Sequence, residues 1–138
     1  MKLKHLASKI FLSLLVLFQG LSVLGCTQTF PLGRIPDSFI FIEYSHGSVY
    51  GQSKISRGDP VYDALFKIIH SNQKGWAPDI NTYAPLLYFK SELMTINCTE
   101  NSMVINYKPE DREQWKQLSK SIHGCKATII SAQAKGSK

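Results

Sequence analysis

The chain has 138 residues and carries 16 lysines and arginines against ten acidic residues, a formal net charge of +6. Three of the basic residues, Lys2, Lys4 and Lys9, lie in the first 25 positions; a chain cut after position 25 would keep 13 against ten, or +3 over 113 residues. That length suits one domain with one modest core, and that charge lacks the concentrated basic face of a nucleic-acid binder, a partner class it argues against.

Residues 1–25 have the layout of a signal peptide. The three lysines precede an apolar run, residues 10–18 (IFLSLLVLF), after which Gln19, Gly20 and Ser22 loosen the stretch. A basic start, a short apolar segment and small residues before a cut mark export. A membrane-spanning helix needs about 20 mostly apolar residues, more than this stretch supplies. Val23-Leu24-Gly25-Cys26 closes the segment. It resembles the lipobox of bacterial lipoproteins, with Leu24 larger than the small residue usual at that place. The resemblance covers the signal alone. It implies that Cys26 is lipidated and becomes the first mature residue, on the periplasmic face of a bacterial membrane, with the outer membrane the expected one. The alternative is a soluble secreted protein.

The cysteine count supports the same address. Three cysteines are odd for an exported chain; with lipid on Cys26, Cys98 and Cys125 remain as an even pair for an oxidising compartment. A bridge between them would close a loop worth about 3 to 4 kcal/mol. Asn97-Cys98-Thr99 also satisfies the glycosylation triplet, the one feature that points to a different origin.

Residues 26–37 (CTQTFPLGRIPD) hold two prolines, a glycine and little periodicity, so they are expected to form a membrane-proximal tether. Residues 38–45 (SFIFIEYS) are rich in β-branched and aromatic residues, with no helix cap before them, and predict a strand covered on both faces for much of its length. His46-Gly47-Ser48 predicts a turn, and residues 49–55 a weaker returning strand. Asp59 and Pro60 fit the N-cap and first position of a helix over 60–73; Val61, Leu65, Ile68 and Ile69 form its apolar face, and Lys74 and Gly75 end it. Residues 75–85 predict an irregular loop bearing Trp76 and Tyr83, followed by strands at 86–90, 93–98 and 103–107.

Residues 109–123 carry two competing signals. Pro109 with Glu110, Asp111 and Glu113 looks like a helix start, Trp115, Leu118 and Ile122 follow at i, i+3 and i+7, and His123-Gly124 looks like an end. A helix is the reading taken, with residues 125–130 as a last short strand. Its rival is a strand over 115–122 that completes a meander, with a helix at the C-terminus. Residues 38–132 are thus expected to form a single small α+β domain, a mainly antiparallel sheet of about five strands with one or two helices packed on it. Residues 133–138 are expected to fray.

The residues define no catalytic site, no metal site and no cofactor. There is no G-x-S-x-G, H-E-x-x-H, phosphate-binding glycine loop or C-x-x-C. Ser48 near His46 lacks a third partner, and His46, His70 and His123 lack second ligands at short offsets. Two features stand out for binding instead. In a helix over 109–123, Arg112, Lys116 and Lys120 would fall at i, i+4 and i+8 as a basic stripe. Trp76 and Tyr83 would stand on an irregular loop of the kind that often carries recognition. The expected function is a non-catalytic protein-binding module: a small envelope lipoprotein docking another envelope or imported protein, one with an acidic surface. In size, address and missing chemistry it resembles immunity proteins and enzyme inhibitors. The alternative is a structural accessory of an envelope assembly or secretion system that binds lipid or cell-wall material. An enzyme ranks third.

Overall fold

The computed structural model describes residues 26–110 and 113–136. The expected signal peptide and Arg112 lie outside the described residues. Strand β1 (Ser38–Ser45) and strand β2 (Ser48–Ser56) form a hairpin in which Ser45 opposes Ser48. His46 and Gly47 between them have φ of 51° and 78°. Positive φ at both central residues makes the tight turn whose twist matches that of paired strands. Farther along, Glu43 opposes Gly51 while Tyr44 opposes Val49, so Tyr50 is the extra residue of a β-bulge.

Helix α1 (Pro60–Ser71) follows, with Pro60 at its first turn. Asp59 holds the extended backbone of an N-cap, but its carboxylate turns back and accepts from the Ser56 N–H and hydroxyl, closing the β2–α1 turn. Val61, Tyr62, Leu65 and Ile69 are buried. Strand β3 is only Ala77–Pro78; β4 (Leu87–Lys90), β5 (Met94–Cys98), β6 (Ser102–Tyr107) and β7 (Lys116–Ser121) then form a meander, and helix α2 (Cys125–Gly136) ends the described chain. All strands are antiparallel neighbours in one sheet of order β2-β1-β4-β5-β6-β7-β3. The fold is α+β as expected, with seven strands rather than five.

The two additional strands lie at one margin. Residues 116–121 are β7, not part of a helix over 109–123. Six residue pairs join β7 to β6, from Tyr107 opposite Lys116 to Ser102 opposite Ser121. A helix there would leave the apolar β6 with an unpaired edge, and satisfying a whole strand of backbone groups outweighs local helix cues. Residues 125–130 correspondingly begin α2 instead of forming a strand.

The inner face of the sheet and both helices share one core. Phe39, Phe41, Leu87, Phe89, Met94, Ile96, Cys98, Met103, Ile105, Tyr107 and Leu118 point inward and are buried, as are Val61, Leu65, Ile69 and Ile129 from the helices. Phe41 stacks on Phe89 with ring centroids 5.0 Å apart. Cys98 and Cys125 form a disulfide with a Cα–Cα separation of 5.9 Å, fixing the start of α2 to the end of β5.

Both ends of the domain are more ordered than the sequence suggests. Residues 28–35 are no free tether: Phe30 is 1% exposed and Ile35 is buried. Phe30 packs against Trp76 and Tyr107 at 5.9 and 5.5 Å between centroids. Gln28 exchanges both backbone hydrogen bonds with Trp76. Two apolar side chains in a short segment suffice to seat it on the core. At the other end α2 continues through residue 136 in place of a frayed tail, and Gln133 Nε2 donates to Glu43 Oε1 across 2.5 Å.

Candidate partner-binding surface

The residues singled out in the sequence do not converge on one surface. Trp76 is 0% exposed and belongs to the core. Its ring packs on Phe30, and its indole N–H donates to the Asn72 carbonyl at 2.7 Å. The last carbonyls of a helix have no partner within it, and Trp76 satisfies one of them. Lys120 satisfies another need of the same kind, with Nζ donating to the Lys74 carbonyl at 2.6 Å and approaching that of Asn72 at 3.4 Å. Lys116 Nζ bonds Gln28 Oε1. Both lysines thus lie on β7 and tie down the end of α1 and the N-terminal segment; they are not a helical stripe.

Tyr83 remains at the surface, in a connection of known path. After β3 the chain crosses the outer face of the sheet, the face opposite the helices, to reach β4. Asp79 N–H donates to the Gln117 carbonyl, Gln117 Nε2 donates to the Asn81 carbonyl, and Asn97 Nδ2 donates to the Ala84 carbonyl. Asp79 organises the turn by accepting from the Asn81 backbone N–H at 2.8 Å and the Tyr83 hydroxyl at 2.5 Å. These bonds, Tyr83 first, hold the Asp79 carboxyl down at about 2 and push the Tyr83 hydroxyl above its ordinary value. Beneath the connection, Val104 is buried and Asn97 is the one buried polar residue among the described residues, its carbonyl oxygen accepting the Leu86 N–H. The folded state therefore withholds Asn97 from glycosylation.

The rest of the outer face carries no such cover among the described residues. On β1, Ile40, Ile42 and Tyr44 alternate with the core residues Phe39 and Phe41 and are only half-buried. Register places Ile40 between Lys54 and Lys90, Ile42 between Gln52 and Tyr88, and Tyr44 opposite the exposed Val49. Tyr44 meets Tyr88 edge-on at 6.4 Å. A hollow of about 400 Å3 runs along Ile40, Ile42, Gln52 and Lys90, with Glu92 at its end. The result is an apolar strip flanked by two exposed lysines. The sequence held its signal: residues 38–45 are apolar on both faces, and the described residues cover only one of them.

Other polar groups are dispersed. Ser45 Oγ contacts His46 Nδ1 at 3.0 Å in the exposed hairpin turn, His70 lies by Phe66, and His123 faces Asn101. Among the described residues no three His, Cys, Asp or Glu side chains gather where they could hold a metal, and no helix is long and apolar enough to cross a membrane. Cys26 is exposed with a free thiol. The chain matches no protein-family model, no curated protein and no solved structure.

Proposed function

We propose that this is a small bacterial envelope lipoprotein, anchored through Cys26, that acts without catalysis by binding another protein. The partner is an envelope or imported protein with an acidic margin, and the mode of action is that of an immunity protein or enzyme inhibitor. One observation carries the reading: β1 is apolar on both faces, and the half-buried strip of Ile40, Ile42 and Tyr44 on the outer face has no cover among the described residues. Antiparallel sheets ordinarily turn polar residues to a solvated face, so an apolar one needs something to bury it. Aromatic and aliphatic residues in such a strip supply the contact area, while Lys54 and Lys90 beside it steer an acidic surface and fix its register.

A photo-cross-linking side chain placed at Tyr88, which is half-exposed on this face, should give one discrete adduct in the envelope fraction. Placed at the exposed Lys67 on α1, it should give none. Ile42→Glu should abolish the Tyr88 adduct while thermal unfolding stays nearly unchanged, and Lys54→Glu with Lys90→Glu should reduce its yield chiefly at low salt. Equal adducts from positions 67 and 88, or an adduct that survives Ile42→Glu, would dismiss this face as the binding surface.

A further inference from the structure

The N-terminal segment leaves almost no slack between Cys26 and the folded domain. Gln28 is paired to Trp76 on both sides of its peptide unit, Gln28 N–H to the Trp76 carbonyl at 2.7 Å and Trp76 N–H to the Gln28 carbonyl at 3.1 Å. From Cys26 to Gln28 is two residues, which extend to at most about 7 Å. The layer of headgroups on each side of a bilayer is of about the same thickness. A lipid on Cys26 would therefore hold the β3–β7 margin of the sheet at the level of the headgroups. A domain on a long tether has no such orientation.

What stands at that margin suits the position. Lys116, bonded to Gln28, is preceded by Trp115, which is 51% exposed. A hollow of about 370 Å3 opens beside them, with Trp115 and Tyr107 as aromatic walls and Arg34 and Lys116 as cationic groups. Lys74 is exposed near the end of Lys120. Two acids are close: Glu110, which contacts Arg34 at 3.3 Å, and Glu113, which lines the adjoining hollow with Arg34 and Tyr107. Arg34 keeps further N–H donors beyond that one contact. Tryptophan favours the headgroup zone, and lysine and arginine favour anionic lipid.

We infer that the margin formed by the N-terminal segment, β3 and β7 is the membrane-facing surface of the protein. The hollow between Arg34, Trp115 and Lys116 receives the phosphate of an anionic phospholipid headgroup. The inference rests on the lipid reading of Cys26 and goes beyond it, because anchoring alone fixes no orientation. The chain has two tryptophans, and Trp76 is buried, so Trp115 fluorescence reports on this margin.

The full chain is expressed, and its mature form is purified from membranes and reconstituted into vesicles of phosphatidylethanolamine and phosphatidylglycerol. Mass spectrometry of the N-terminal peptide decides the lipid reading separately. Trp115 should be quenched by headgroup-labelled nitroxide lipid and be several-fold less accessible to aqueous acrylamide than a tryptophan at position 50. That reference is supplied by Tyr50→Trp with Trp115→Phe, at the opposite margin of the sheet. Replacing phosphatidylglycerol by phosphatidylcholine should weaken the nitroxide quenching, as should Arg34→Gln. If Cys26 is acylated and Trp115 is as open to acrylamide as the tryptophan at position 50, the orientation is wrong and the anchor stands. A mature protein without lipid that fails to stay on the vesicles overturns both.

Discussion

Trp76 illustrates how one side chain can satisfy packing and polarity at once. Its ring fills the space between Phe30 and the sheet, and its N–H answers a carbonyl left over at the end of α1. Trp76→Ala removes both, and large-to-small changes of this kind cost about 3 to 5 kcal/mol. Thermal unfolding should report a loss of that size. Trp115→Ala, at the surface, should fall within about 0.5 kcal/mol of the parent. Asp79 makes a prediction in pH. Its carboxyl is held at about 2 in the folded chain, below its ordinary value, by the Tyr83 hydroxyl and the Asn81 N–H. A depressed carboxyl contributes stability that is present above its unfolded value of about 4 and is lost as pH falls through about 2. Tyr83 behaves in the opposite sense: raised above its ordinary value, it contributes below about pH 10 and loses that contribution above it. Melting temperatures measured between pH 5 and 2 should fall less steeply in Asp79→Asn than in the parent.

At the scale of elements, the disulfide is the strongest single constraint. The bridge between Cys98 and Cys125, 27 positions apart, encloses β6 and β7 and secures α2 against the sheet. Loop entropy assigns it about 3.5 kcal/mol. Cys125→Ser should accordingly lower the melting temperature by more than about 10 °C, with reduction of the parent giving a similar drop. Cysteine arithmetic alone makes that pair legible in the sequence. The hairpin of β1 and β2 and helix α1 are legible too, because turn chemistry at His46-Gly47 and Pro60 with its apolar spacing are local signals. Strand β7 is not. Of its six residues, KQLSKS, only Leu118 enters the core, and Pro109, Glu110 and Glu113 nearby mimic a helix start. Its identity depends on the vacant edge of β6, a non-local fact. The role of Trp76 is hidden for the same reason: Asn72, Phe30 and Gln28, which hold it, come together only in the fold. The outer strip of β1 can be read as apolar on both faces, but which face stays bare depends on the path of residues 79–86.

Considered whole, the molecule is organised across the width of its sheet. Adjacent strands lie about 4.8 Å apart, so the six steps from β3 to β2 amount to about 29 Å. Cys26 and Trp115 belong to one margin and the apolar strip of β1 to the other end, so a lipid on Cys26, as proposed, would leave that strip clear of the membrane. The two margins also differ in what their backbones can do. Among the described residues β2 is nine residues long with no strand on its far side, whereas β3 offers only Ala77 and Pro78, and proline has no N–H to give. A sheet with two open sides can add copies indefinitely, as fibrils do; this one can accept a strand on one side only. Any association through β2 therefore terminates with the first arrival, and copies held close together, as the proposed lipid on Cys26 would hold them, do not join their sheets into a growing ribbon.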